Sequence, residues 1–132
     1  MFDWKDTYSV QIPLLDGQHR NLFRMAEELH AAMLARQGKA TLAQILNRLV
    51  QYTLVHFEQE ERLMREHGYP GLDAHVAEHR ALTSQVKQFQ ADFASGRTAL
   101  SVQVLQFLKD WLEGHIKGSD RAYAPYLAGK AA

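Results

Sequence analysis

The chain has 132 residues, 46% of them hydrophobic and 23% charged, with Lys+Arg and Asp+Glu balanced at 15 each. That size and composition suit one folded domain with a real core and exclude a disordered chain, and the charge balance leaves no electrostatic footprint for nucleic acid. Zero Cys removes disulfides, thiolate metal sites, iron–sulfur clusters and Cys nucleophiles, so a transition metal could be held only by His and carboxylates.

The N-terminus, MFDWKDTYSV, lacks the basic and apolar regions of a signal peptide. No apolar run approaches the roughly 18–20 residues of a membrane span. A cytoplasmic location is therefore expected. Residues 1–13 carry Phe2, Trp4, Tyr8, Val10 and Ile12 without helical spacing, and Pro13 discourages helix at Ile12. The spacing predicts an extended arm whose aromatics pack on the rest of the chain.

A first helix is expected over 16–37, from Asp16 as N-cap to Gly38 as stop, with Leu15, His19, Leu22, Ala26, Leu29 and Met33 facing inward. The second, 41–67, presents Leu42, Leu46, Leu49, Thr53, His56, Glu60 and Leu63 and ends at the breaker Gly68-Tyr69-Pro70-Gly71. The third, 72–94, presents Leu72, His75, His79, Leu82, Val86, Phe89 and Phe93. The fourth, 98–117, presents Val104, Leu108, Trp111 and His115, widened by Leu105 and Leu112. A short closing segment, 119–128, is interrupted by Pro125. Four amphipathic helices on short loops predict a single all-α domain over 1–132, an up-down-up-down antiparallel four-helix bundle.

His19, His56, Glu60, His75, His79 and His115 all fall on positions that should be apolar. Burying such groups without partners costs several kcal/mol each. Any one of them alone reads best as a hydrogen-bonded core residue. Topology changes the balance, because His19 opens the first helix, His56 and Glu60 lie late in the second, His75 and His79 open the third, and His115 closes the fourth. In an antiparallel bundle all reach the same end, which predicts a shared metal site. Imidazole with carboxylate suits iron, manganese or zinc rather than magnesium or calcium. His30 and His67 serve as controls: each follows a site His by eleven residues, about 16 Å along the axis, too far to join it. His67 reads as a helix-end residue, and His30 as partly exposed or hydrogen-bonded. Asp120 is five residues beyond His115, so a regular helix would turn the two side chains apart. Gly118 between them allows a π-like turn.

The order His19, His56-x-x-x-Glu60, His75-x-x-x-His79 and His115-x-x-x-x-Asp120 resembles the hemerythrin family, above all its single-domain bacterial branch. Asp16-Gly17-Gln18-His19, Gly68-Tyr69-Pro70 and Asp110-Trp111-Leu112 agree with it, as does the Trp4…Tyr8-Ser9-Val10 arm. The resemblance covers essentially the whole chain. Pro13-Leu14-Leu15 and Gly17 make the entry to the first helix less regular than the family norm.

The resemblance implies reversible O2 binding, for storage, delivery or scavenging, at a non-haem di-iron centre with an oxo or hydroxo bridge. His75, His79 and His115 would hold one iron, His19 and His56 the other, with Glu60 and Asp120 bridging. Counted over two octahedra, about one position stays open, on the two-His iron, which suits a small diatomic ligand. Leu112 matches the leucine that lines the family's O2 pocket. Trp111 and Phe57 are further wall candidates that ordinary core packing explains as well. The expected partners are O2 or another small diatomic ligand, with an O2-consuming protein as a conceivable recipient, and the expected state is a monomer. No catalysis is expected. The alternatives are a di-iron redox enzyme acting on peroxide or nitric oxide, and an O2 or iron sensor.

Overall fold

The computed structural model describes residues 1–127; position 128 of the expected closing segment lies outside them. After a 3-10 turn at Asp6–Tyr8 come α1 (Pro13–Leu34), α2 (Lys39–Glu66), α3 (Leu72–Ala94) and α4 (Val102–Gly114). A π-helical turn, His115–Asp120, joins α4 to α5 (Arg121–Leu127). The four long helices form the antiparallel bundle, and there is no strand among the described residues.

α3 has the predicted bounds, while the other helix ends differ for local reasons. α1 starts at Pro13 rather than at Asp16, because proline at the first helical position gives up an N–H that has no intrahelical partner there. Asp16 is not the N-cap. Its Oδ1 accepts from the Val10 N–H at 2.8 Å and its Oδ2 from the Ser9 hydroxyl at 2.6 Å, which ties the arm across the helix entry. α1 ends at Leu34 rather than at 37, because Arg36 takes the left-handed conformation (φ 57°). The Arg36 and Gln37 N–H groups then bond back to Met33 and Ala32, satisfying the last carbonyls. Gly38, expected as the stop of α1, is instead the extended N-cap of α2, which begins at 39 rather than 41. α2 closes with the same left-handed device on Gly68 (φ 66°), where Tyr69 N–H bonds to Met64. α4 begins at 102 rather than 98, where the Ser101 side chain accepts from the Val104 N–H at 3.3 Å. Its regular part ends at Gly114 rather than 117. Pro125 does not interrupt the closing segment but lies inside α5.

The arm is folded down as its apolar pattern predicts, though with the 3-10 turn inside it. Phe2, Tyr8, Val10 and Ile12 are buried, and Trp4 meets Tyr8 and Phe23 edge-on. The Met1 ammonium and the Phe2 N–H both bond to Glu27, at 2.8 and 3.0 Å, and Arg121 donates to the Thr7 carbonyl.

The core is split. A large apolar cluster includes Leu22, Phe23, Leu29, Leu46, Leu49, Phe93, Leu105 and Leu112. A smaller one holds Val10, Ile12, Leu15, Met64, Tyr123, Ala124 and Leu127, flanked by Tyr69 and Leu72. Along every helix the polar core residues come between the two. The bundle therefore encloses one polar layer with hydrocarbon on both sides.

Candidate metal centre

The seven residues singled out in the sequence meet in that layer. His19, His56, Glu60, His75, His79, His115 and Asp120 are all buried, and Glu60, Asp120 and His19 have no exposure at all. The i,i+4 spacings on α2 and α3 place His56 above Glu60 and His75 above His79. The third pairing, five residues apart, depends on the π turn, whose wider coil brings Asp120 Oδ1 to 3.0 Å from His115 Nε2.

The two carboxylates divide their oxygens. Glu60 Oε1 faces His75 and His79 Nε2 at 2.9 and 3.1 Å, with His115 Nε2 at 4.0 Å. Its Oε2 faces His19 and His56 Nε2, each at 3.3 Å. Asp120 repeats the division: Oδ1 lies 2.9 Å from His75 Nε2, and Oδ2 lies 3.1 Å from His19 Nε2. Each carboxylate thus presents one oxygen to a three-imidazole group and the other to a two-imidazole group.

Proton accounting tests whether a metal fits. His56 Nδ1 lies 2.6 Å from Gln18 Oε1, and Gln18 is oriented by its own amide, which donates to Gln59. His79 Nδ1 lies 2.7 Å from Glu61, and His115 Nδ1 3.2 Å from Glu78, which Ser119 also steadies. Those oxygens can only accept, so each Nδ1 carries the proton and a neutral ring turns the lone pair of Nε2 inward. The Nε2 atoms of His79 and His115 meet at 3.1 Å, and neither oxygen of Asp120 has a hydrogen-bond donor in acceptable geometry. Among the described residues, Glu60 and Asp120 have only His as cationic partners. Electron pairs and two negative charges converge with nothing positive between them, which is what cations held by these atoms would resolve. The residues fit a His and carboxylate metal centre.

In the metal-free protein that pressure falls on the imidazoles. Burial alone would lower the pKa of His19, but Asp120 and Glu60 outweigh it and push it up to about 10. His75 is raised to about 9 for the same reason, and His115 is raised as well. Against the cost of their burial, the surrounding imidazoles hold Glu60 and Asp120 well below the usual carboxylate range.

Aromatic rings wall the layer. Phe57 stacks on His79 at 3.8 Å between centroids, and Trp111 on His115 at 4.3 Å. Both face imidazoles rather than the apolar cavity of about 360 Å³ that Leu112 helps to line. His30 bonds to Glu27 at 2.9 Å and His67 caps the end of α2, so neither joins the layer.

Sequence reading did not find Gln18, Glu61, Glu78 or Tyr123, whose hydroxyl donates to Glu60 Oε2 at 2.8 Å. The available signal was adjacency: Gln18, Glu61 and Glu78 each neighbour a candidate ligand in the chain.

Residues 10–127 match the model of the hemerythrin HHE cation binding domain. The bacteriohemerythrin of Stenotrophomonas maltophilia is 36% identical over 92% of this chain and 78% of its own length. That of Methylococcus capsulatus is 31% identical over 92% of each chain. A crystal structure of wild-type hemerythrin superposes with a TM-score of 0.91 at 30% identity, covering 96% of this chain and 98% of the other. With its whole bundle and its buried His and carboxylate layer inside that match, the chain belongs to the hemerythrin family.

Proposed function

We propose that this chain binds O2 reversibly at a non-haem di-iron centre, as a carrier, store or scavenger rather than an enzyme. His75, His79 and His115 would hold one iron and His19 and His56 the other, with Glu60 and Asp120 bridging. One observation carries the reading: both carboxylates split their oxygens between the same two imidazole groups. When bound, two irons supply the two electrons that O2 takes up and returns.

The chain's own residues account for the rest. Five imidazoles and two carboxylates form a nitrogen-rich set, unlike the carboxylate-rich Glu-x-x-His sets of ferritin-like oxidases, and so favour holding oxygen over activating it. The cavity of about 360 Å³ has Leu22, Thr53, Leu82 and Leu112 in its wall. These lie three residues from His19, His56, His79 and His115, so its roof is about one helical turn from the imidazole layer on all four helices. The Thr53 and Thr83 hydroxyls donate to the Leu49 and His79 carbonyls, which leaves the cavity few free polar groups. Such an apolar lining suits a diatomic such as O2 better than water. A single-domain monomer in the cytoplasm belongs to the same reading; among the described residues, no helix is long and apolar enough to cross a membrane.

The test is iron content with an optical spectrum, taken reduced under argon, then in air, then after purging. Two irons per chain and a visible band that appears in air and fades under argon are expected. Two irons that oxidise once and never release O2 would reject the carrier in favour of a redox enzyme or sensor.

A further inference from the structure

Tyr123 is fully buried, and among the described residues its hydroxyl is the one non-imidazole donor to Glu60. Its ring is followed outward by Tyr69, 6.3 Å away between centroids, and Tyr69 by Tyr126 at 5.1 Å. Tyr126 is 43% exposed. The middle ring has a built seat: a Cβ on Gly71 would fall 2.7 Å from the Tyr69 ring and hydroxyl. Three phenols therefore lead in short steps from Glu60 to solvent. Phenylalanine would pack this small apolar cluster as well, so packing alone does not explain three hydroxyls.

Phenols differ from phenylalanine in giving up an electron and a proton together. We propose that Tyr123, Tyr69 and Tyr126 form a radical relay that carries oxidising equivalents from the metal centre to the surface. There a small one-electron reductant of the ascorbate class discharges them. The inference rests on the di-iron reading above.

The oxidant is hydrogen peroxide, which takes two electrons and two protons and leaves as two waters. For each electron, the Tyr123 O–H bond breaks, the electron passing to the centre and the proton to the oxygen that leaves as water. Tyr69 then gives Tyr123 an electron and a proton, and Tyr126 does the same for Tyr69. One ascorbate returns an electron and a proton to Tyr126. Two ascorbates thus reduce one peroxide, and the three phenols end unchanged. The direction is set by exposure, which rises from the fully buried Tyr123 through the half-buried Tyr69 to the exposed Tyr126. Trp111, stacked on His115, is the rival acceptor; among the described residues the rings beside it are Phe57 and His115, neither of them a phenol.

The experiment uses the iron-loaded protein, with iron content and the O2 band recorded first. It is then treated with hydrogen peroxide and freeze-quenched for electron paramagnetic resonance, with a nitroso spin trap in parallel and the adduct located by peptide mass spectrometry. A tyrosyl signal and an adduct on Tyr126 are expected, with ascorbate erasing the signal. Tyr69→Phe should keep the iron and the O2 band, lose the Tyr126 adduct and slow the erasure by ascorbate. Tyr126→Phe, at an exposed position, should lose the adduct in the same way. An adduct on Tyr126 that survives Tyr69→Phe, or a radical confined to Trp111, would overturn the relay while leaving O2 binding intact. A protein without two irons would overturn both.

Discussion

At the scale of single residues, an imidazole is a good metal ligand only when its other ring nitrogen is held as well. His56, Glu60, His75 and His79 announce themselves because charged and polar groups at helical spacing on a core face need a reason to be there. Glu61 and Glu78 carry no such signal, since a glutamate beside a core residue points outward and looks like any solvated carboxylate. Only the fold shows Glu61 reaching His79 Nδ1 at 2.7 Å with 23% of its side chain exposed. Such partners fix the tautomer and raise the basicity of a ligand imidazole, and losing one costs roughly 10–100-fold in metal affinity. Glu61→Ala should therefore release iron to a competing chelator at a concentration lower by about that factor, while Glu61→Gln, which keeps an acceptor oxygen, should lose less. Equal retention by all three proteins in a chelator titration would remove Glu61 from the site. Leu112 belongs to the same scale. Leu112→Ala should cost about 2–5 kcal/mol of stability as a core truncation. It should also speed autoxidation of the oxygenated protein by letting water closer to the imidazole layer. An unchanged autoxidation rate, followed optically, would reduce Leu112 to a packing residue.

At the scale of elements, helix existence followed from periodicity, and helix ends followed from backbone conformations that periodicity does not encode. Nothing in the sequence marks Arg36 as the left-handed residue that stops α1, because arginine is a poor choice for that position and Gly38 stands two residues away. The π turn is the instructive case. His115 and Asp120 are five apart, and Gly118 was the natural candidate for loosening the helix. The structure has the π turn, yet Gly118 has no left-handed φ, and a Cβ there would meet nothing within 4 Å. The turn is thus not a consequence of glycine's freedom. Gly118→Ala should keep iron content unchanged and raise stability by about 0.4–1 kcal/mol, by narrowing the unfolded ensemble. Loss of iron in a folded Gly118→Ala protein would show that the turn does need glycine. The arm offers a second check on element docking. Burial would raise the Glu27 pKa, but the Met1 ammonium, the Phe2 N–H and His30 together hold it down to about 2, from the usual 4.5. A lowered folded pKa means that the stabilisation is present above pH 4.5 and lost as the pH falls toward about 2. Wild type should accordingly exceed Glu27→Gln in denaturant midpoint near neutrality, with the gap closing as pH drops below 4.5. A gap independent of pH would detach this pair from the docking of the arm.

For the whole molecule, a bundle with a polar layer between two apolar clusters has a core that hydrophobic burial cannot complete. Seven ionisable groups in that layer call for a cation, and on the proposed reading a metal is the folding partner that supplies it. Anything that binds the folded state alone stabilises it, by about 4 kcal/mol when free ligand exceeds its Kd a thousandfold. Removing the metal should therefore lower the melting temperature markedly, and protons become the substitute cations. The sign follows from the raised imidazole pKa values. His19 goes from 6.5 to about 10 and His75 to about 9, so their contribution is complete below pH 6.5 and lost as pH rises through those values. The metal-free protein should lose melting temperature steadily between pH 6.5 and about 10. The iron-loaded protein should be flatter there, because coordination holds the same imidazoles neutral at every pH in the window. Melting curves with and without a chelator, at several pH values across that range, measure both effects. If the two proteins lost stability in parallel as pH rose, the layer would not be where metal and protons compete, and the cations that complete this core would have to be sought elsewhere.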